Sequence, residues 1–465
     1  MFRAFQHRAY SPLLLEAGMD AFLGFLAVLC AAWTISAVPL AEFARTISNP
    51  SVVLAALGFA ICMAMLQSFL GLYRQASLSF ASQLARLLVA LSLGGYVTYL
   101  VLKEVGFEGH PSRLVSHSVL YLLVAILAVR GSLVLMRSAQ GAGRVLIVGA
   151  GPEAVSVASD LRGASRVRDE VIGFYLPAGA TPDAGIDSRL ILDSGRPLTE
   201  LVRDLKVSTI IVAAREQRGG AMPMDQLVLC RTMGIPIMDL AGFYERTHAE
   251  VPLNSLKASW LVYGPGFVQG HTRRALKRVF DIVTSSILLV LALPVMAIAA
   301  VAIKLESRGP LIYRQERVGL GGRTFMCLKF RSMCNDAERD GVARWATKND
   351  ARITRVGRII RKTRIDELPQ LFSVLKGEMS IVGPRPERPS FVKELQSQVE
   401  FYDLRHTVKP GVTGWAQLRY CYGASVEDSR RKHQFDLYYI KNNSLLLDIV
   451  ILIETVTVVL FGEGQ

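Results

Sequence analysis

The chain has 465 residues, too many for one ordinary domain, so two or three folded units are expected. Hydrophobic residues make up 51% of it while the formal net charge is +14. That pairing is unusual for a protein that is soluble throughout and points to a membrane protein whose basic surfaces meet anionic lipid or phosphorylated ligands.

The first 140 residues hold four long apolar stretches: Ala21 to Val38, Val52 to Leu72, Leu87 to Leu102 and Val115 to Met136. Each is near the ~20 residues that a helix needs to cross a bilayer. Glu16 and Asp20 interrupt the approach to the first, and three more follow, so it reads as a span rather than a signal peptide. Arg130 in the fourth is expected to snorkel to the cytoplasmic interface rather than act as an intramembrane charge. The short loops carry few positive charges. The strongly basic remainder, whose cysteines form neither a CxxC pair nor a disulfide framework, argues that both termini and the soluble parts are cytoplasmic.

"GAGRVLIVGAGPEAVSVASDLRGA" changes the pattern. Arg144 to Val148 read as a buried strand, Gly149 and Gly151 as a tight turn, and Glu153 onward as a helix, with Ala154 at the third small position of a dinucleotide fingerprint. "VIGFYL" and "STIIVAA" continue as strands of a parallel α/β sheet. No acidic residue follows "VIGFYL" to hold a ribose, so the expectation is a Rossmann-like module of structural or regulatory use rather than a nicotinamide site.

From Arg273 comes "RRALKRVFDIVTSSILLVLALPVMAIAAVAIKLESRGP", with 22 uninterrupted non-ionic residues from Ile282 to Ile303. Pro294 lies in the middle. Arg273, Arg274, Lys277 and Arg278 precede the run, and Lys304 and Arg308 follow it. Basic flanks tend to stay in the cytoplasm and a mid-helix proline supplies a bend, so a re-entrant helical hairpin over about 279–305 is expected rather than a fifth span.

"GPLIYRQERVGLGGRTFMCLKFRSM" then gathers Arg314, Arg317, Lys329 and Arg331 around a glycine-rich turn, suited either to phosphates or to resting on anionic lipid. "RKTRIDELPQLFSVLKGEMSIVGPRPERP" places Asp366 and Glu367 just before a helix that starts near Pro369 and ends at Gly377. A helix N-terminus and the neighbouring arginines should keep both carboxylates ionised, as a nucleophile or metal ligand requires. Taken alone, such a pair is usually a cap or a surface ion pair.

These stretches, with "KRVFDIV", "RHTVKPGVTGWAQLRY" and "DLYYIKNNSLLLDI", occur in an order that resembles the large monotopic class of bacterial polyprenyl-phosphate phosphoglycosyl transferases. The resemblance covers nearly the whole chain. It implies a membrane α-helical bundle over 1–140, an α/β Rossmann-like domain over 141–265, and an α/β monotopic catalytic domain with a re-entrant membrane helix over 266–465. It further implies that Asp366 attacks the sugar-proximal phosphate of a UDP-sugar and releases UMP, and that Glu367 completes a dyad with Mg2+. The sugar 1-phosphate would then pass to undecaprenyl phosphate, the initiating step of exopolysaccharide, capsule or O-antigen synthesis.

Metal ligation falls to Asp366 and Glu367. Phosphate binding falls to Arg314, Arg317, Lys329, Arg331, Arg364, Arg385 and Arg388, with a structural ion pair an equal reading for Arg385. Trp415 and Gln417 either face nucleotide or sugar, or Trp415 packs or anchors at the interface. "SLLLDIVILIETVTVVLF" is expected to lie in the membrane interface. The expected setting is the inner membrane with the catalytic domain on the cytoplasmic face. Membrane lipid is the expected partner and nucleic acid is not, and a homodimer is compatible with the architecture. Two other functions fit the sequence less well. A Rossmann-type nucleotide-sugar dehydratase needs a YxxxK pair, and neither Tyr438 nor Tyr439 has Lys four residues on. A non-catalytic scaffold leaves the Asp366 motif unexplained.

Overall fold

A computed structural model describes residues 11–36, 49–70, 72, 80–107, 110–139, 143–163, 169–177, 179–193, 195–213, 222–253, 256, 261, 266–267, 270–334, 350, 352–420 and 425–461. The chain divides into two compact units, Met1–Thr247 and His248–Gln465.

The first unit opens with four apolar helices, α1 (Ser11–Ser36), α2 (Pro50–Phe69), α3 (Phe80–Glu104) and α4 (Pro111–Ala139). Each packs on two of the others, α1 on α2 and α4, and α3 on α2 and α4. Small residues make close approach workable: a Cβ on Gly94 would lie 2.7 Å from the Met63 sulfur, and Ala31, Ala56 and Ala90 are fully buried. Residues 37–38, the end of the first expected span, lie outside the described residues. Arg130 does not snorkel free. It pairs with the buried Asp20 of α1 at 2.8 Å, which offsets the cost of holding a carboxylate among apolar helices.

An α/β layer follows. Strands β1 (Gly143–Val148), β2 (Asp169–Tyr175), β3 (Thr209–Val212) and β4 (Ile237–Asp239) are all parallel, in the order β2-β1-β3-β4. Helices α5 (Pro152–Gly163), α6 (Leu198–Asp204), α7 (Met224–Thr232) and α8 (Leu240–Thr247) complete it. Alternation along β1 explains its two cores. Val145 and Ile147 pack with Ala154, Val157 and Phe243, while Leu146 and Val148 pack with Leu198, Leu201 and Leu227. Gly149, at φ +156°, lies so close to β3 that a Cβ would sit 2.4 Å from the Ala213 carbonyl oxygen.

The second unit is built around α9 (His271–Glu306), the longest described helix, which contains Pro294. Its basic start is not simply a row of charges facing outward. Arg278 donates to the Val374 and Leu375 carbonyls, Lys277 to Asp448 at 2.8 Å, and Arg273 to Asn443. Asp281, fully buried, accepts from the Ser380 hydroxyl and the Ile381 N–H. At the far end Ile303 packs with Phe330 and Ile360, and Glu306 accepts from the Arg355 and Val356 amides. Between the ends Ile287, Val290, Leu291, Leu293 and Ile298 are exposed. With the bundle helices, α9 brings to five the described helices long and apolar enough to cross a membrane.

An antiparallel hairpin follows, β5 (Ile312–Val318) and β6 (Thr324–Phe330), turning through Gly321 and Gly322 at φ +66° and +75°. Then come α10 (Arg355–Lys362), a 3-10 turn over Ile365–Glu367, α11 (Gln370–Lys376), β7 (Ser380–Val382) and α12 (Pro389–Gln398). The chain ends with β8 (Gly411–Thr413), parallel to β7, and α13 (Trp415–Arg419), α14 (Val426–Asn442) and α15 (Leu445–Phe461). Residues 249–251 join this unit through the Ala249 carbonyl, which accepts from Trp415, and the Val251 N–H, which donates to Gln434. Helix α15 is two-faced: Leu447, Asp448, Val450 and Ile451 are buried, and Leu446, Ile449, Ile453 and Val456 form an exposed stripe.

Candidate active site

Asp366 and Glu367 lie in the 3-10 turn that links α10 to α11, and both are buried, each 7% exposed. The local sequence dictates the turn. Arg364 takes the left-handed conformation at φ +58°, Pro369 caps α11, and Gly377 ends it at φ +90°. Asp366 and Glu367 therefore precede α11 as expected. That helix has only seven residues, so full charges rather than the helix end dominate the field.

Those charges come from two other elements. Lys329 on β6 and Arg385 in the turn after β7 both donate to the Glu367 Oε1 at 2.7 Å. Burial would raise the Glu367 carboxyl, yet Arg385 and Lys329 outweigh it and hold the group well below the usual glutamate range. Asp366 differs. Its carboxylate makes no hydrogen bond or ion pair among the described residues. Burial and then the Glu367 charge push it above the ordinary aspartate range, against Lys329, Arg385 and Arg361. The two carboxyls thus shift in opposite directions, because the cations are spent on one oxygen of Glu367.

The remaining expected site residues separate. Arg364 is exposed beside the dyad, and its charge helps to lower Glu367. Arg314 is exposed on β5. Arg388 is half-buried, its guanidinium 6.0 Å from the Phe391 ring centroid. Arg317 and Arg331 hold backbone. Arg317 donates to the Pro386 carbonyl, and Arg331, 7% exposed, donates to the Ser307 and Arg308 carbonyls at the end of α9. Trp415 is a core residue. It is 2% exposed, its indole N–H goes to Ala249, and the Arg419 guanidinium covers its ring at 3.9 Å. Gln417 is half-buried with its Oε1 unpartnered among the described residues.

Two supporting groups escaped the sequence reading. Asp448 takes Lys277 on one oxygen and the Tyr439 hydroxyl on the other, and both donors also reach the Val382 carbonyl at the end of β7. Arg405 and Asp436 form a second buried pair at 3.2 Å. The signal was present for the first: a carboxylate inside an apolar run needs a partner, and Lys277 was an available cation.

Among the described residues no three acidic, histidine or cysteine side chains gather as a metal cage. The dyad nevertheless suits a hard cation of the magnesium type, which takes one or two carboxylates and completes its shell with water and phosphate oxygens. An unpartnered buried carboxylate beside an ionised one is the donor set that such an ion needs.

A family model described as bacterial sugar transferase matches residues 272–462. The chain is 43% identical over 238 residues to the UDP-N-acetylgalactosamine-undecaprenyl-phosphate N-acetylgalactosaminephosphotransferase of Aeromonas hydrophila, covering 51% of this chain and 55% of that one. It is 36% identical over 338 residues to the undecaprenyl-phosphate glucose phosphotransferase of Komagataeibacter xylinus, covering 69% and 60%. A UDP-glucose:undecaprenyl-phosphate glucose-1-phosphate transferase of Caulobacter vibrioides is 44% identical over 182 residues, covering 39% of this chain and 68% of that protein. The chain thus spans a little over half the length of the first two relatives.

Proposed function

The chain belongs to the bacterial sugar transferase family, and from that premise we propose that it moves a sugar 1-phosphate from a UDP-sugar to undecaprenyl phosphate. The observation that carries the reading is the asymmetric dyad: Glu367 fixed and held low by Lys329 and Arg385, Asp366 buried beside it without a hydrogen-bond or ion-pair partner among the described residues. In the first step the Asp366 carboxylate oxygen attacks the sugar-proximal phosphorus. The bond from that phosphorus to the bridging oxygen breaks, and UMP departs with the electron pair. In the second, a phosphate oxygen of undecaprenyl phosphate attacks the same phosphorus and the Asp366 carboxylate leaves, giving undecaprenyl diphosphate sugar. An acyl phosphate is an activated anhydride, so the second step is favourable.

Asp366 and Glu367 would hold Mg2+, which when bound neutralises diphosphate charge that would otherwise repel a carboxylate. Lys329 and Arg385 keep Glu367 ionised. Arg364, Arg388 and Arg314 remain the candidates for direct phosphate contact, and Gln417 for nucleotide or sugar. The relatives are named for different sugars, and no residue here selects among them.

The same reading puts the protein in the bacterial inner membrane, its second unit on the cytoplasmic face and α9 re-entrant. Arg278 and Ile303 are 25 residues apart, about 37 Å along a straight helix. Yet Arg278 bonds Val374 and Leu375 while Ile303 packs beside Ile365, only ten residues before Leu375. A bend at Pro294 would let both ends dock on so short a stretch while the exposed apolar middle enters lipid. The exposed stripe of α15 would lie at the interface. The α/β layer from β1 to α8 is read as a Rossmann-like module without a nicotinamide requirement.

The test offers the full-length protein UDP-glucose, UDP-galactose and UDP-N-acetylgalactosamine separately, with Mg2+ and undecaprenyl phosphate, and measures UMP. One productive donor is expected, and no UMP from an extended panel would end the reading. For topology, single cysteines at Arg274 and Arg308 in a cysteine-free background should both be shielded from an impermeant thiol reagent in intact cells. Labelling of only one would show a true span.

A further inference from the structure

Arg385 reaches Glu367 from a turn that has no regular secondary structure of its own, yet the main chain there is held at every residue. Four successive carbonyls accept from four separate donors. Pro384 accepts from the Gly411 N–H at 2.9 Å, Arg385 from Arg405 Nη2 at 2.7 Å, Pro386 from Arg317 Nη1 at 3.0 Å, and Glu387 from the Val318 N–H at 2.9 Å. The Gly383 N–H enters the β7–β8 pairing through the Thr413 carbonyl. Pro384 and Pro386 fix φ on either side of Arg385.

Arg405 stands apart among these donors. It is 8% exposed, its guanidinium also donates to Asp436 and to the Tyr402 hydroxyl, and it lies 4.9 Å from the Tyr402 ring centroid. A buried arginine of this kind is costly unless its charge is compensated. Here a carboxylate compensates it, and the donor so retained is aimed at the carbonyl of the residue that fixes Glu367. A planar guanidinium meets the carbonyl, the carboxylate and the phenol with donors at fixed angles, a geometry that a point-like ammonium does not reproduce.

We propose that Arg405, anchored by Asp436 and Tyr402, is a positioning residue that locks the main chain at Arg385 and so aims the Arg385 guanidinium at Glu367. The proposal rests on the reading of Glu367 given under Proposed function. Arg405 acts through Arg385, so its effect exists only while Arg385 is present.

A double-mutant cycle on the full-length protein tests this, with UMP release measured from the three UDP-sugars named above. Arg405→Lys keeps the charge and loses the planar fork, and should lower kcat by about tenfold or more with little change in KM for the UDP-sugar. In an Arg385→Ala background it should cost less than about twofold further, since residues that act as one unit are strongly non-additive. Asp436→Asn preserves shape and weakens the anchor. It should give a smaller loss that is likewise masked by Arg385→Ala, and it carries the test if Arg405→Lys does not fold. Equal fold-losses in both backgrounds would overturn the positioning role while leaving the transferase reading intact. An Arg385→Ala variant as active as the parent would overturn both the role of Arg385 and this proposal.

Discussion

The α/β layer of the first unit and the dyad region of the second both set a glycine- or proline-rich turn beside a helix start, and they use it in opposite ways. Around β1 the buried side chains are apolar on both faces, and the turn is absorbed by backbone contacts: Gly149 donates to Tyr175, and Ala150 accepts from Asp183. Around β7 the buried set includes Asp281, Asp366, Glu367, Arg405, Asp436 and Asp448. Burying charge is expensive, so its concentration around one turn marks that region, rather than the α/β layer, as the candidate for chemistry. The glycine fingerprint was the more conspicuous motif. The proposed chemistry rests on two of the buried carboxylates, Asp366 and Glu367.

That contrast can be broken most sharply at the dyad. Asp366→Asn should cut transfer by roughly a thousandfold or more while leaving expression and membrane insertion intact, because it removes the attacking charge without changing size. Activity above a tenth of the parent's would place the chemistry elsewhere. Glu367→Gln should be comparably severe, since Lys329 and Arg385 would lose their shared anion.

A smaller effect is expected from Lys329→Met, about ten- to a hundredfold in kcat, together with a shift in pH dependence. Glu367 is held below its ordinary range, so the stability it contributes is present above that range and is lost as pH falls through its folded value. Removing one cation raises the folded value, so the variant should lose activity and thermal stability at a higher pH than the parent on acidification. Asp366 has the opposite sign. Its carboxyl is raised, so in the parent the first half-reaction should begin to fail above the ordinary aspartate range. Superimposable acid limbs for parent and Lys329→Met would show that Lys329 does not govern Glu367.

The smallest effect on transfer should come from the first unit. Gly149→Ala forces a Cβ to 2.4 Å from the Ala213 carbonyl, and should destabilise that layer by about 1–3 kcal/mol while changing kcat less than about threefold. Limited proteolysis of the first unit and UMP release together would check it. A large kcat loss with the layer intact would mean that it participates in the chemistry.

Much of this was legible in the sequence. Apolar runs, a parallel-sheet rhythm, the hairpin glycines and the Asp366–Glu367 pair before Pro369 all arise from local propensity, which the chain cannot hide. Partnership was not legible. Arg317 and Arg331, beside a glycine turn, read as suited either to phosphates or to anionic lipid, and only the fold shows them donating to the carbonyls of Pro386, Ser307 and Arg308. Trp415, in a turn-rich motif, reads equally as a ligand contact or as packing, and its N–H donates to the Ala249 carbonyl. The Arg405–Asp436 pair joins positions 31 residues apart, a separation with no periodic signature.

The most direct test of the central claim is to incubate the protein with Mg2+ and the productive UDP-sugar, labelled in its sugar-proximal phosphate, while undecaprenyl phosphate is withheld. A covalent aspartyl intermediate predicts up to one equivalent of label on the protein at Asp366, matched by a burst of UMP, and none on Asp366→Asn. Absence of label with UMP appearing only after acceptor is added, together with intersecting double-reciprocal plots, would contradict it and leave direct attack by the acceptor as the mechanism.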